Sequence, residues 1–565
     1  MYEKPKVYIK SIEFSGGQKL DLNEKDKILI VGPNNSGKSQ TLRDLIATVS
    51  GKAQDNIVIH DVELEKIGTP DDLINYIKNN GESEDNFHVI GQSRIHNSHF
   101  IYWDSNYKLN DLSTLFIKNI TAKDRLTICD QQQSITRKQQ KSKPQHILYD
   151  NSELMERVSN IFKKAFNKGL AFDYRGGSVL PIHIVDPEGI QGVVDRVSDE
   201  YVNKLRNYPL LDKQGDGVKS YAGILFETIA YDYSTVLIDE PEAFLHPPQM
   251  RKLGQALAEE VDSQLIVATH SSDIMRGFLE GTKGNLRIIR IQRDEDKSTL
   301  HEVDQPAIKS LWSQPNLKYS NALDSIFHEQ VIICEDDSDC RLINYTADYI
   351  IENENIIFPD TSFVPSGGKH AIAGIAEILR LAGVPVKAIY DFDLISERAT
   401  FTKALDAFGC NHSKKIETIK LWEMINSEVT QRIQTKSAQE FKSYLINIIT
   451  NTEAEKISKS QVEELFKQRK PWSEVKRHGV NGLPSGDIRN KFRELNNNLK
   501  EIGIFLVPLG EIENFSPETG SHGPKFVNKF LQERDLSDPE LTSLKDFVKD
   551  VYLKKINSDY VQDGF

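Results

Sequence analysis

Short apolar runs alternate with segments of helical periodicity in the first half of the chain. Apolar runs typical of buried strands cover residues 27–31, 235–238 and 264–268, and helical periodicity covers 221–231 and 248–261. Strands separated by helices form sheets with parallel strands, because the helix carries the chain back to the start of the next strand. The pattern therefore predicts an α/β fold.

A second series of apolar runs begins after a turn-rich stretch near residue 320. It predicts strands at 330–334, 386–390 and 503–507, and charged helical sequence occupies about 400–500. We therefore predict that this part is also an α/β domain, with a helical insertion between its last two strands.

These patterns place a domain boundary near residue 325, between a first domain over 1–325 and a second over 326–565. The polar stretch of about 52–210 is predicted to elaborate the first domain, with short strand candidates at 100–103 and 180–185.

Composition narrows the class of protein. The chain has 565 residues, 38% hydrophobic and 27% charged, as is ordinary for a soluble globular protein. Its formal net charge of −13 argues against coating nucleic acid through an overall positive field. The first residues are charged, and no apolar run approaches the length of a bilayer span, so we expect a cytoplasmic protein with no membrane association.

A glycine-rich loop follows the first buried strand and precedes a predicted helix. In such a loop the backbone N–H groups point at phosphate oxygens, the lysine reaches the β- and γ-phosphates, and the following serine holds Mg²⁺. The loop predicts binding of ATP with Mg²⁺ by Gly32, Pro33, Asn34, Asn35, Ser36, Gly37, Lys38 and Ser39.

Two further strand ends complete this nucleotide site. The strand at 235–238 ends in Asp239 and Glu240, and His270 follows the strand at 264–268. Asp239 is predicted to hold the metal, Glu240 to orient or deprotonate the attacking water, and His270 to sense the γ-phosphate.

Together with the nucleotide-site motifs, the segment Pro241 to Pro247, which directly follows Asp239 and Glu240, resembles ABC-type ATPases of the SMC and RecF group. The resemblance covers about the first 300 residues. In that group ATP is sandwiched between two head domains, and the resemblance implies a homodimer or higher homo-oligomer. In that group a signature loop reaches the ATP from the partner head. The segment of this chain that begins with Gly215, Asp216 and Gly217 resembles that loop, although its sequence departs from the usual LSGGQ motif. Gln131 to Gln133 are a candidate Q-loop.

Four carboxylates follow strands in the second domain. Glu335 comes after the strand at 330–334 and Asp339 four residues later, so a helix opening between them would place both on one face. Asp391 and Asp393 follow the strand at 386–390, and their spacing directs both to one side. Carboxylate oxygens are hard ligands, so these four residues predict a site for Mg²⁺ or Mn²⁺.

A strand-end glutamate followed by Asp-x-Asp resembles the TOPRIM fold of topoisomerases, primases and some nucleases, with Asp336 where that fold often has glycine. An ABC-type head followed by TOPRIM resembles the OLD-family nucleases, which include the nuclease of the Gabija defence system. The resemblance implies that Glu511 and Glu513 are further metal ligands and that Lys525 lies near the scissile phosphate. Without the resemblance, Lys525 would be interpreted as an ordinary surface lysine.

The resemblance implies an ATP-regulated, metal-dependent DNA endonuclease of antiphage defence. Similar proteins act alone, beside a UvrD-like helicase, or as effectors of retrons, where a reverse transcriptase and its RNA–DNA product restrain the nuclease. The main alternative is a non-nucleolytic DNA-repair ATPase with an inactive TOPRIM domain, and Asp391 and Asp393 argue against it. A transporter ATPase and a topoisomerase fit the motifs less well.

Overall fold

The computed structural model divides into two compact units, Met1–Lys318 and Tyr319–Phe565. The described residues are 4–53, 55–136, 139–187, 195–294, 297–313, 321–431, 442–443, 445–446, 450, 472–484 and 486–556.

The first unit is built on a six-stranded sheet with the order β16-β15-β3-β14-β13-β8. All neighbouring strands in it run parallel except β16, which pairs antiparallel with β15. The strands of the unit are β1 Lys6–Phe14, β2 Lys19–Asp21, β3 Lys27–Val31, β4 Ile59–Ile67, β5 Glu82–Glu84, β6 Phe87–Ile90, β7 Ser93–His96, β8 Ile117–Ile120, β9 Gln132–Gln133, β10 Gly169–Phe172, β11 Val179–Leu180, β12 Ile182–Val185, β13 Thr235–Asp239, β14 Gln264–Ala268, β15 Arg287–Asp294 and β16 Lys297–Glu302.

Helices connect these strands and cover the central sheet. The longer ones carry one buried face, as α6 does with Met155, Val158 and Phe162. The helices are α1 Lys38–Val49, α2 Pro70–Asn80, α3 Ser113–Phe116, α4 Asp124–Ile128, α5 Pro144–Asp150, α6 Ser152–Phe166, α7 Asp199–Leu205, α8 Asp216–Ala230, α9 Pro247–Glu260, α10 Ser272–Gly281 and α11 Gln305–Ser313.

A second antiparallel sheet, in the order β2-β1-β4, packs against the central sheet. The alternating side chains of β1 place Val7 and Ile9 in a core cluster that also contains Ile28 of β3 and Leu42 and Leu45 of α1. This core fixes β3 and the start of α1, and therefore the loop between them.

The second unit contains a four-stranded parallel sheet with the order β18-β17-β19-β20. Its strands are β17 Gln330–Cys334, β18 Thr361–Pro365, β19 Val386–Tyr390 and β20 Ile504–Leu506. Its helices are α12 Asp337–Glu354, α13 Lys369–Leu381, α14 Arg398–Ala407, α15 His412–Gln431, α16 Ser473–His478, α17 Asp487–Glu501, α18 Pro524–Glu533 and α19 Thr542–Leu553.

The predicted α/β class is confirmed in both units. In the predicted insertion, the described residues between β19 and β20 include α14 to α17, and residues 432–441, 444, 447–449, 451–471 and 485 lie outside the described residues. The strand predicted at 100–103 is wrong. Residues Asn97–Asp104 form a 3-10 helix, which His96 caps by accepting a hydrogen bond from the Ser98 backbone N–H.

The strand predicted at 180–185 is divided into β11 and β12, because Pro181 lies between them and has no N–H for a ladder. Among the helices of the described ranges, none is long and apolar enough to cross a membrane.

Candidate nucleotide and metal sites

The glycine-rich loop lies between β3 and α1, as its motif predicts. Gly32 has φ 141°, and a Cβ there would lie 2.3 Å from the Ile291 carbonyl oxygen, so only glycine fits beside β15. The buried Lys38 side chain donates hydrogen bonds from Nζ to the carbonyl oxygens of Gly32 at 2.7 Å and Pro33 at 2.6 Å. The loop therefore folds around its own lysine.

The electrostatics of the loop suit an anion. Burial lowers the pKa of Lys38 to about 8, against the opposing effect of Glu242 and Glu240. The Ser36 hydroxyl oxygen is buried and has no hydrogen-bond partner among the described residues. A buried ammonium and a free hydroxyl in one loop fit the phosphates of ATP.

The ends of β13 and β14 lie side by side, because Asp239 pairs in register with Ala268. Asp239 Oδ1 is buried without a hydrogen-bond partner within the described part of the chain. Burial raises the pKa of Asp239, and a hydrogen bond from the Ser39 side chain opposes this. Ser39 and Asp239 therefore meet at one point and fit a hard cation such as Mg²⁺.

Glu240 and His270 also come together. The His270 Nε2 atom lies 3.9 Å from Glu240 Oε1, and Glu240 has a positive φ of 47°. Burial and the nearby Lys38 lower the pKa of His270, which favours its neutral form. The structure thus gathers Lys38, Ser39, Asp239, Glu240 and His270 at the carboxyl edge of the central sheet, where ligands of α/β sheets bind.

Two residues of this site were missed by sequence reasoning. Arg125 of α4 is fully buried and donates from its guanidinium to the carbonyl oxygens of Asp239 at 3.2 Å and Glu240 at 2.5 Å. Glu242 accepts from the His270 backbone N–H at 2.6 Å and from Thr269 Oγ1 at 2.8 Å. The extended acidic motif could have pointed to Glu242, but nothing in the segment of Arg125 marks it.

The predicted signature segment lies at the start of α8. Gly215 is the N-cap, Asp216 and Gly217 open the helix, and Ser220 Oγ donates to the Ala243 carbonyl oxygen at 3.3 Å. The segment therefore lies beside the chain that follows Glu240. The candidate Q-loop lies elsewhere: Gln131 Nε2 donates to Asp212, and Gln132–Gln133 pair with β11. Within the described residues, the hydrogen bonds of these glutamines do not reach the phosphate-binding loop. Their role as a Q-loop stays a prediction.

In the second unit, carboxylates gather at the carboxyl ends of three neighbouring strands. Glu335 follows β17, Asp391 follows β19, and Glu511 lies after β20. The Asp391 backbone N–H donates to Glu335 Oε1 at 3.4 Å. Because β17, β19 and β20 are adjacent, residues far apart in the chain meet at one edge.

Two local expectations differ from the structure. Helix α12 begins at Asp337, so Glu335 lies outside it; the Asp336 backbone N–H donates to Asp339 Oδ2 at 3.1 Å in a capping box. Strand β19 ends at Tyr390, and Asp393 lies in the 3-10 helix Phe392–Ser396. The carboxylates therefore approach one another through turns and not through a shared helix face or strand pleat.

The electrostatics of this cluster favour a bound cation. Burial, followed by Glu335, Asp339, Asp393 and Glu511, raises the pKa of Asp391 to about 9. Burial also raises the pKa of Asp339 to about 7; the hydrogen bond from the Asp336 backbone N–H opposes this rise, and the charges of Asp336, Glu335 and Glu513 add to it. Burial and then Asp393 raise the pKa of Glu335. Crowded hard oxygen ligands of this kind fit Mg²⁺ or Mn²⁺.

Glu511 and Glu513 lie in one subsite with a residue that sequence reasoning missed. One ligand atom each of Glu511, Glu513 and His522 lie within 4.8 Å of one another, and they form the one such group found among the described residues. The Gly523 backbone N–H donates to Glu513 Oε1 at 2.7 Å. Lys525 is exposed in the first turn of α18, two residues after Gly523.

Two lysines enter the acidic cluster. Lys369 Nζ lies 3.2 Å and Lys476 Nζ lies 3.1 Å from the same atom, Asp393 Oδ2. Lys476 Nζ also lies 3.4 Å from Glu511 Oε1. Lys369 follows Gly368 and opens α13, Lys476 lies in α16 of the insertion, and both were missed as site residues.

The end of the insertion is held against the chain after β20 by close backbone contact. The Val480 backbone N–H donates to the Pro508 carbonyl oxygen at 2.9 Å. A Cβ on Gly479 would lie 2.1 Å from that oxygen, and a Cβ on Gly510 would lie 2.2 Å from the Lys476 carbonyl oxygen. The two glycines thus allow Lys476 to lie beside Glu511.

Comparison with known families separates the chain in the same way. A family model described as "AAA domain, putative AbiEii toxin, Type IV TA system" matches residues 28–276. A second, described as "Overcoming lysogenization defect protein-like, TOPRIM domain", matches residues 326–393. The predicted ATPase and TOPRIM domains are therefore confirmed. The second match includes Glu335, Asp339, Asp391 and Asp393 and ends before Glu511.

Two curated relatives are OLD nucleases. The chain is 23% identical to the Old nuclease of Escherichia phage P2 over 267 residues, which cover 45% of this chain and 42% of that protein. It is 28% identical to the OLD nuclease of Thermus scotoductus over 208 residues, or 33% of this chain and 37% of that protein. The match thus spans about two fifths of each relative.

Solved structures similar to the chain include two SMC heads. An SMC head bound to the C-winged helix domain of ScpA has a TM-score of 0.34 and 16% identity, covering 53% of this chain and 98% of that chain. The SMC head domain from Thermotoga maritima has a TM-score of 0.29 and 14% identity, covering 54% and 100%. The chain thus matches, in succession, an AAA-type ATPase domain and an OLD-like TOPRIM domain, and it is similar in sequence to two OLD nucleases.

Proposed function

We propose that the protein is an ATP-regulated, divalent-metal-dependent DNA endonuclease. The observation that carries the proposal is the acidic cluster at the carboxyl ends of β17, β19 and β20, in which burial and mutual repulsion raise the pKa of Asp391 to about 9. Such a cluster is stable in its ionised form only with cations bound, and metal-bound carboxylates are a common means of phosphodiester hydrolysis.

Each part of the cluster has a distinct task in this proposal. The residues that would hold Mg²⁺ or Mn²⁺ are Glu335, Asp339, Asp391, Asp393, Glu511 and Glu513. Bound ions supply Lewis acidity toward the attacking water and the leaving oxygen. The exposed Lys525 is free to approach a DNA phosphate and to stabilise the negative charge that develops on it.

The nucleotide site has a regulatory task. ATP held by Lys38 and Ser39 would join two ATPase domains of a homodimer or higher oligomer, and hydrolysis promoted by Glu240 would release them. Access of DNA to the TOPRIM domain would change with this cycle. By kinship with the OLD nucleases we assign the protein to antiphage defence, where its partner would be a UvrD-like helicase or a reverse transcriptase with its RNA–DNA product.

The proposal is tested with supercoiled plasmid, Mg²⁺ or Mn²⁺ and a range of ATP concentrations. Asp391→Ala should lower the cleavage rate by more than about 100-fold. Loss of a residue that only supports a metal ligand lowers activity by about 10–100-fold, and loss of a ligand itself should have a larger effect. The matched control is Asp546→Ala, which removes a carboxylate 67% exposed in the same unit. If the Asp391→Ala variant cut DNA at the rate of the wild-type protein, the assignment of the active site would be refuted.

Regulation by ATP is tested separately with Lys38→Ala. This variant should lose ATP binding and change the ATP dependence of cleavage, whereas Lys204→Ala, at a lysine 50% exposed on the surface, should behave as wild type. If ATP binding, DNA binding and cleavage were all unchanged in Lys38→Ala, regulation through this loop would be wrong. A wild-type protein that hydrolyses ATP but leaves DNA intact would favour the non-nucleolytic alternative.

A further inference from the structure

Lys476 differs from an ordinary surface lysine in the partners of its ammonium group. It is paired with Asp393 at 3.1 Å and with Glu511 at 3.4 Å, and both carboxylates belong to the proposed metal ligands. The ammonium thus lies between two ligands that come from different strand ends. The ammonium group and a divalent metal ion would therefore compete for the same two carboxylates.

Lys369 offers an internal comparison. Its ammonium shares Asp393 Oδ2 with Lys476, at 3.2 Å, but it also pairs at 2.9 Å with Glu397, which is outside the proposed ligand set. When Asp393 turns to a metal ion, Lys369 keeps a partner. Lys476 loses both of the partners that the described residues give it.

The balance of charge changes around Lys476 when metal binds. The cluster holds six carboxylates against these two lysines, and each divalent ion adds two positive charges at the same place. An ammonium beside a loaded metal site is repelled by the metal and no longer required by the carboxylates. A backbone phosphate of bound DNA can then balance its charge.

The geometry points to Lys476 as a catalytic-site cation that a divalent metal displaces from Asp393 and Glu511 and that then binds a DNA backbone phosphate. This inference rests on the proposed endonuclease function and names the residue that couples metal loading to substrate binding. The insertion between β19 and β20 therefore contributes to the active site itself.

Metal binding to the metal-free protein gives the first readout, with free Mn²⁺ measured by electron paramagnetic resonance. Lys476→Ala should bind Mn²⁺ about tenfold more tightly, because no ion pair has to be broken. Lys369→Ala should gain about threefold or less, since Glu397 already shares its charge. Lys491→Ala is the control, because Lys491 pairs at 2.7 Å with Asp487, a residue 74% exposed on α17 of the same insertion.

DNA binding gives the second readout, measured at saturating Ca²⁺ in place of Mn²⁺ over a range of salt concentrations. Lys476→Ala should weaken binding of a short duplex and reduce the slope of log affinity against log salt by about one phosphate contact. Lys476→Arg should restore that slope, because it keeps the charge. A residue that merely supports the fold would not change the slope.

The outcomes separate this inference from the proposed function. Unchanged or weaker Mn²⁺ binding in a folded Lys476→Ala protein would overturn the displacement, and an unchanged salt slope would overturn the phosphate contact. A wild-type protein that shows both effects but never cuts DNA would refute the endonuclease and leave Lys476 as assigned. A cutting enzyme in which Lys476→Ala changes neither readout would refute Lys476 alone.

Discussion

The nucleotide site and the acidic site both place buried charges at the carboxyl edge of a parallel sheet, but they neutralise those charges in different ways. In the nucleotide site, Lys38 and Arg125 donate to backbone carbonyl oxygens, and Glu242 accepts from a backbone N–H and a hydroxyl. In the acidic site, Lys369 and Lys476 pair directly with carboxylates. The first site keeps its shape through neutral groups, whereas the second adds lysine cations at Asp393 and Glu511 to the backbone N–H groups that its other carboxylates contact.

This difference bears on how each site responds to its ligand. A loop held by its own backbone can receive a nucleotide with little rearrangement of its charges. A cluster held by lysines has to exchange one set of cations for another. We therefore expect the acidic site to be the more sensitive of the two to metal, salt and pH.

The largest expected effect is on the nucleotide site, from Glu240→Gln. Loss of a general base lowers the rate of the chemical step by about 10²–10⁴-fold, so ATP hydrolysis should nearly stop while ATP still binds. Mn²⁺ binding at the acidic site should be unchanged in the absence of nucleotide. Steady-state hydrolysis and ATP affinity are the measurements, and loss of ATP affinity with normal turnover would show that Glu240 acts in binding.

Arg125→Lys tests whether the shape of the nucleotide site depends on its backbone contacts. Lysine keeps the charge but cannot donate to both carbonyl oxygens, so turnover of ATP should fall by about 10–100-fold, as for an outer-shell partner of a metal ligand. ATP affinity should change much less. Arg157→Lys, at an exposed ion pair with Glu260, is the control. A raised KM with normal kcat would contradict a positioning role.

Opposite pH dependences provide a sharper comparison of the sites in metal-free, nucleotide-free protein. The pKa of Asp391 is raised to about 9 and that of Asp339 to about 7, so the folded state binds the extra protons and stability should fall as the pH rises from 4 to 9. The pKa of Lys38 is lowered to about 8, so the unfolded state binds the extra proton and stability should rise between pH 8 and 10.5.

Thermal unfolding in EDTA measures both trends. Asp391→Asn should flatten the fall in stability, and Lys38→Met should flatten the rise. Over the same pH range, Mn²⁺ should bind more tightly as the pH increases, because protons compete with it for the carboxylates. A metal affinity independent of pH from 5 to 9 would show that the carboxylates are ionised before metal binds.

The smallest expected effect comes from Glu242→Gln. The glutamine carbonyl oxygen can still accept from the His270 backbone N–H, and its NH2 group can donate to the Thr269 hydroxyl oxygen. The free energy of unfolding should therefore fall by only about 1 kcal/mol. ATP turnover should stay within about threefold of wild type. Denaturant unfolding and steady-state hydrolysis test this, and a loss as large as that of Glu240→Gln would show that the negative charge of Glu242 itself is needed.

How much of each site could be predicted depends on how far apart its parts lie in the chain. The loop from Gly32 to Ser39 is one contiguous motif, and Asp239, Glu335 and Asp391 stand directly at strand ends, where periodicity locates them. Glu511, Glu513 and Lys525 entered through family resemblance alone. Their roles remain predictions, although the structure places Glu511 and Glu513 together.

The missed residues reach their sites from distant segments. Arg125 is 114 positions before Asp239, and Lys476 is 83 positions after Asp393. Neither lies in a segment whose periodicity distinguishes a buried functional charge from an ordinary surface one. Only the packing of α4 against α8, and the close contact between Gly479 and the chain after β20, bring them in.

That contact at Gly479 and Gly510 has a consequence for how such chains diverge. Because neither position tolerates a side chain, any substitution there should separate Lys476 from Glu511 while every carboxylate remains in the sequence. A descendant could thus keep all of its acidic motif and still lose its chemistry. For sorting active from decayed members of a lineage, these two glycines would be more informative than the acids themselves.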